Sequence, residues 1–194
     1  MKKIITGICL FAVVTAGCAT DKIVAMGTEV RHDVFQEVAY REPVPAGYTI
    51  LTVVSTFKTR RPGDCLWAKA FCGTTEYALL LNIDGQVTRI AGDSVEEETA
   101  SRGYYPPEAG DGIRHVFRTT LRIKAGHHRL FATLPGKGVY LDREITLVDG
   151  TGSVLDVAPL YGKRTVGRLP GNDAVTSFYE GIRGFKGYLD GEEI

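Results

Sequence analysis

Ile113-Arg114-His115-Val116-Phe117-Arg118-Thr119-Thr120-Leu121-Arg122-Ile123 alternates along its whole length. Ile113, Phe117, Leu121 and Ile123 fall on one parity, and Arg114, Arg118 and Arg122 on the other. Side chains of a strand point to opposite faces in turn, so a period of two predicts a strand with one face on a core and one in water. His115 falls in line with Phe117 and Leu121, which makes it a neutral, hydrogen-bonded core or edge histidine before it is a metal ligand.

The pattern extends in both directions. Tyr48 to Lys58 is rich in β-branched and aromatic residues and apolar on both parities (Ile50, Val54; Leu51, Val53, Phe57), as expected of a central strand covered on both sides. Tyr77 to Ile83, then Asp84-Gly85, then Gln86 to Ile90 reads as a hairpin, because Asp-Gly tolerates the positive φ of a tight turn. Downstream, His127 to Leu134 alternates with Leu130, Ala132 and Leu134 inward. Further strands are predicted at Val139 to Val148, Val154 to Tyr161 and Phe185 to Leu189, punctuated by Pro135-Gly136, Asp149-Gly150 and Asp190-Gly191. Nothing keeps a helical period over a helix-length window. The expectation is an all-β domain over 47–194, an antiparallel β-sandwich of the transthyretin or immunoglobulin kind. Residues 91–111, with Glu96 to Glu98 and Pro106-Pro107, are expected to form an insertion.

The N-terminus has a different character. Met1-Lys2-Lys3 is positive, Ile4 to Ala16 carries no charge, and Thr15-Ala16-Gly17-Cys18 ends in small residues before a cysteine. This is the pattern of a secretory signal peptide, too short in its apolar part to span a bilayer. Ala16-Gly17-Cys18 resembles the bacterial lipobox, with Thr15 where that pattern usually has leucine. The resemblance implies cleavage after residue 17 and a lipid on Cys18, with residues 18–46 as a lipidated tether ending in Glu42-Pro43-Val44-Pro45-Ala46-Gly47. Acyl chains add about 0.8 kcal/mol of membrane affinity per buried methylene, so such an anchor holds permanently. Ala19 is not the aspartate associated with inner-membrane retention, which points to the outer membrane, facing the periplasm.

With Cys18 lipidated and Cys9 removed, Cys65 and Cys72 remain as an even pair in an oxidising compartment, and a disulfide between them is expected. The whole chain balances 23 basic against 23 acidic residues, and loss of Lys2 and Lys3 leaves a net charge of −2. Nothing in that balance suggests a nucleic-acid partner.

Leu79-Leu80-Leu81-Asn82-Ile83-Asp84-Gly85-Gln86 and Leu121-Arg122-Ile123-Lys124-Ala125-Gly126-His127-His128-Arg129-Leu130 resemble the two halves of PEGA-type surface domains, with Ala125 where that family has proline. Gly187-Tyr188-Leu189-Asp190-Gly191 looks like a second copy of the first half. The resemblance implies a small sandwich like the carboxypeptidase-regulatory domains, used in surface display and adhesion without catalysis.

Catalytic motifs are poorly represented. Gly150-Thr151-Gly152-Ser153-Val154 lacks the closing glycine of a hydrolase elbow. Gly136-Lys137-Gly138 and Gly162-Lys163-Arg164-Thr165 lack the first glycine of a phosphate cradle, which stands five residues before the glycine of its Gly-Lys pair. Adjacent His127 and His128 point to opposite faces of a strand and cannot share a metal. No cofactor or metal is expected. Arg114, Arg118 and Arg122 form the best binding candidate, a basic face for anionic envelope polymers. The competing and favoured reading is a solvated face neutralised by Glu96 to Glu98 or by cross-strand acids. The expected function is a non-catalytic envelope lipoprotein acting in structure, display or interaction with envelope polymers or another envelope protein. The alternative is an envelope enzyme acting on glycans through carboxylates of 91–111, such as Glu96 or Glu108.

Overall fold

The computed structural model describes residues 31–39, 43–64, 76–98, 106–165 and 174–194. These residues are nearly all strand: β1 (Phe35–Glu37), β2 (Tyr48–Thr59), β3 (Ala78–Ile83), β4 (Gln86–Glu97), β5 (Gly112–Lys124), β6 (Gly126–Leu134), β7 (Val139–Leu147), β8 (Gly152–Tyr161), β9 (Lys163–Thr165), β10 (Ala174–Thr176), β11 (Ile182–Leu189) and β12 (Glu192–Glu193). One ten-stranded sheet runs β12-β11-β8-β2-β5-β4-β3-β6-β7, with β1 on β5, while β9 and β10 pair separately. β2 is therefore interior, as its two-sided apolar sequence suggests. The hairpin turns form where Asp-Gly was read: Asp84 and Gly85 have φ of 49° and 93°, and Asp190 and Gly191 of 53° and 89°.

The sheet is bent through β4. Gln86 to Ala91 pairs with β3, and Gly92 to Glu97 pairs with β5. Gly92 sits at the changeover because the Phe117 ring crosses it: a Cβ there would lie 2.5 Å from Phe117 Cε1. At the far side β7 comes back against β11, where Gly187 faces the Leu141 and Ile194 side chains at 2.9–3.0 Å from where a Cβ would stand. The curl encloses one core. Leu79, Leu81, Ile83, Leu130 and Leu134 from one half meet Leu51, Val53, Phe57, Phe117, Leu121, Leu155 and Val157 from the other.

The class is all-β, as expected, but three features correct the sequence reading. The sheet is continuous, and it is mixed, because β2 and β8 run parallel, Ile50 to Val54 beside Gly152 to Asp156. Part of the assigned tether is docked: β1 pairs with the C-terminal half of β5, Val34 and Phe35 are buried, and the Gln86 amide bridges to the backbone of Val34 and Phe35. Finally, Ala91 to Glu97 is strand, so the first third of the assigned insertion belongs to the sheet. Residues 1–30, including Cys18, and the pair Cys65 and Cys72 lie outside the described residues.

Candidate functional site

Polar side chains converge where β2, β4 and β8 end and β5 begins. Parity places Lys58 on the outer face of β2, level with Arg114 of β5. The segment before Gly112 folds over that face and buries Lys58 completely, its side chain 0% exposed. Its Nζ donates to the Gly110 carbonyl at 2.6 Å, to Glu97 Oε2 at 3.2 Å and to the Glu108 carbonyl at 3.4 Å, and stands 5.4 Å from the Phe178 ring centroid. A buried ammonium requires that many acceptors to replace its water.

Arg114 holds the same two acids from the other side, donating from Nε to Glu97 Oε1 at 2.5 Å and from Nη1 to Glu108 Oε2 at 2.7 Å. The remaining Glu108 oxygen, Oε1, accepts from the Tyr161 hydroxyl at 2.6 Å, and that hydroxyl accepts the Lys58 backbone N–H at 2.7 Å. Two cations, two carboxylates and a phenol thus form one continuous cluster. The hydrogen bond from Arg114, with further help from Lys58, holds the Glu97 carboxyl below the ordinary carboxylate range. Glu97 in turn raises the Arg114 guanidinium, and burial raises the Tyr161 hydroxyl. Beside this cluster, Arg61 meets Glu98 at 3.3 Å and Glu96 at 3.7 Å. Glu96, singled out as a catalytic candidate, is therefore a surface ion-pair partner. Glu108, the other, has both carboxylate oxygens engaged.

The chemistry open to this cluster is limited by those contacts. An ionised, doubly bonded Glu97 suits charge neutralisation and not proton donation, since a general acid needs its pKa raised. Its geometry serves to fasten 106–111 to the sheet. An open groove of about 600 Å³ adjoins it, walled by Pro106, Pro107, Pro159, Leu160 and Lys163.

The three arginines share one face, as predicted, but have different surroundings. Arg114 is taken up in the cluster, and Arg122 donates from Nη2 to Gln36 Oε1 of β1 at 2.5 Å. Arg118 is exposed. The reading of a basic face neutralised by the Glu96–Glu98 region holds for Arg114, through Glu97, and not for Arg118. His115 is 1% exposed, its Nε2 lies 2.9 Å from Thr59 Oγ1, and burial pushes its pKa down to about 4. His127 is exposed and His128 buried, as adjacent strand residues must be; His128 Nδ1 is 2.7 Å from Asp84 Oδ2 and its Nε2 is 2.8 Å from the Lys124 carbonyl. Among the described residues no group of three His, Cys, Asp or Glu could hold a metal ion. No helix among them is long and apolar enough to cross a membrane.

Sequence reasoning missed Lys58 and Tyr161. The available signal was a lysine inside a run otherwise apolar on both parities, since a buried lysine implies acids nearby. Compared with protein-family models, with curated proteins and with solved structures, the chain matches none.

Proposed function

We propose that the chain is a lipoprotein of the bacterial outer membrane, anchored through Cys18 and facing the periplasm, whose β domain serves as a non-catalytic interaction module. The observation that carries this reading is the N-terminal sequence, a positive head, an apolar run and Ala16-Gly17-Cys18. The docked β1 adds a distance. Twelve residues, 19–30, lie between Cys18 and Arg31, where the described chain begins. They reach at most about 45 Å when fully extended, so the domain works close to the bilayer surface. Engagement of Glu97 and Glu108 with Arg114, Lys58 and Tyr161 supports an interaction role over a glycosidic one.

The test is metabolic labelling with an alkyne fatty acid in a two-membrane bacterium expressing the chain or its Cys18→Ser variant. The expected result is label on the unsubstituted chain, recovered with outer membranes, and none on the variant. An unlabelled chain released in soluble form would end the proposal.

A further inference from the structure

The outer face of β2 is apolar and β-branched for most of its length: Ile50, Thr52, Val54 and Thr56. A sequence of this kind belongs to a strand with cover on both sides. The core supplies cover on one side. On the other, among the described residues, the segment before Gly112 covers the end at Lys58 and leaves the rest uncovered. From Thr56 back to Ile50 the outward residues stay half-buried, and their neighbours Val116 and Val154 are 41% and 46% exposed.

Two charges flank the middle of this strip. Register sets Arg118 of β5 beside Val54 on one side, and Asp156 of β8 beside the same Val54 on the other. All three point outward. With strands about 4.8 Å apart, their Cα atoms stand about 10 Å from each other across β2. Neither makes a hydrogen bond or ion pair among the described residues. Burial raises the pKa of Asp156, the direction expected for a carboxylate that loses water and gains no partner. Other charges on the surface do pair within the chain, Arg129 with Asp142 at 2.9 Å and Lys186 with Glu193 at 2.8 Å.

We infer that this face binds a second copy of the chain, the two sheets packing outer face to outer face about a twofold axis that runs along β2. A twofold interface must be complementary to itself, residue i meeting j and j meeting i. Rotation about β2 carries the β5 column of one copy over the β8 column of the other. Arg118 then meets Asp156 twice, on either side of two Val54 side chains that meet on the axis. In the next row Thr120 faces Val154. In the row after, Arg122 faces Gly152, where a Cβ would find open space. None of these rows opposes like charges, and the apolar residues fall on the axis, where water is excluded first. Aligned packing of two twisted sheets is a standard solution for such faces.

The size fits a modest dimer. Five strands about 4.8 Å apart and a bare length near 25 Å give a footprint of about 600 Å² per copy, the lower end for specific complexes. Association in the micromolar range is expected at that size.

The test is the mass of the whole chain, measured by sedimentation equilibrium in mild detergent, for the unsubstituted protein, Arg118→Asp, Asp156→Arg and the double swap. The inference depends on no lipid, so the same runs without detergent serve if the chain proves soluble. A concentration-dependent dimer is expected, with each single reversal weakening it about tenfold or more and the swap restoring it. The swap controls for misfolding, since both reversed residues are present in it. A monomer at every concentration overturns the inference, even if hydrogen exchange shows the face shielded, since the cover would then be other residues of this chain or a different protein. So does a dimer indifferent to the single reversals, or one that the swap fails to restore.

Discussion

Arg114 and Arg118 stand four residues apart on one face of β5, yet they occupy opposite electrostatic situations. Arg114 lies under a covering segment with two carboxylates, next to a fully buried lysine. Arg118 is exposed, level with a valine and with an acid that has no partner among the described residues. The covered end is held within one chain: the Lys58 ammonium has three acceptors, Arg114 and Tyr161 donate to Glu97 and Glu108, and the cations hold the Glu97 carboxyl below its ordinary range. The bare stretch is complete only when something is laid on it. Identical spacing in sequence thus gives a clamp at one end of the strand and a contact surface in the middle.

The largest effect is expected at the covered end. Lys58→Ala removes a buried cation and leaves Glu97 Oε2 and the Gly110 carbonyl without the donor it supplied; loss of one member of a buried pair costs about 3–5 kcal/mol, and about 2–4 here because Glu97 is part-exposed and keeps Arg114. Urea denaturation would read it as a lower midpoint at unchanged slope. A loss under about 1 kcal/mol would mean that the clamp does not hold the segment. Next comes the bend. Gly92→Val drives a side chain into Phe117, and overpacking of this kind costs about 1–3 kcal/mol, readable in the same titration.

A third, smaller effect depends on pH. His115 is buried with a pKa near 4 against an ordinary 6.5, so between those values the unfolded chain binds the proton that the folded chain refuses. Stability from this residue is therefore whole above pH 6.5 and falls as the pH drops toward 4, by about 1–2 kcal/mol at pH 5. The Glu97 pKa is lowered as well, but from a lower ordinary value, so its contribution is lost only as the pH falls below about 4.5. Melting temperatures from pH 7 to 5 therefore isolate the histidine. His115→Gln should flatten that slope, and a slope that survives the substitution would place the titrating group elsewhere.

What the sequence revealed follows the range of the interactions. Asp84-Gly85 and Asp190-Gly191 were readable because a tight turn is chosen by its own two residues. The alternation in β5 and β6 was readable because one face of each meets the core. β1 and the second half of β4 were missed because their signals are not local. Val95 and Asp93 face outward on β4, so the strand shows no apolar period there, and Phe35 finds its place only through distant Ile123 and Gln86. The arginine face was seen as a face, but its division was not. The acids that bind Arg114 arrive from β4 and from the segment before Gly112, and no spacing within β5 announces them. Parallel pairing of β2 with β8, which puts Asp156 level with Arg118, is likewise invisible in either strand alone.

The smallest effect tests the other half of the contrast. Arg118→Ala should change the stability of the dilute chain by less than about 0.5 kcal/mol, as for surface positions without a partner. Asp156→Asn should be neutral or slightly stabilising, since it removes a carboxylate that burial disfavours and nothing compensates. In a double-mutant cycle at low concentration the two substitutions should add, because about 10 Å of sheet separates them and they share no partner. Coupling that appears only as concentration rises would locate the interaction between chains. Coupling already present in the dilute monomer would mean that Arg118 reaches Asp156 across Val54, and the bare face would then be as self-sufficient as the covered end.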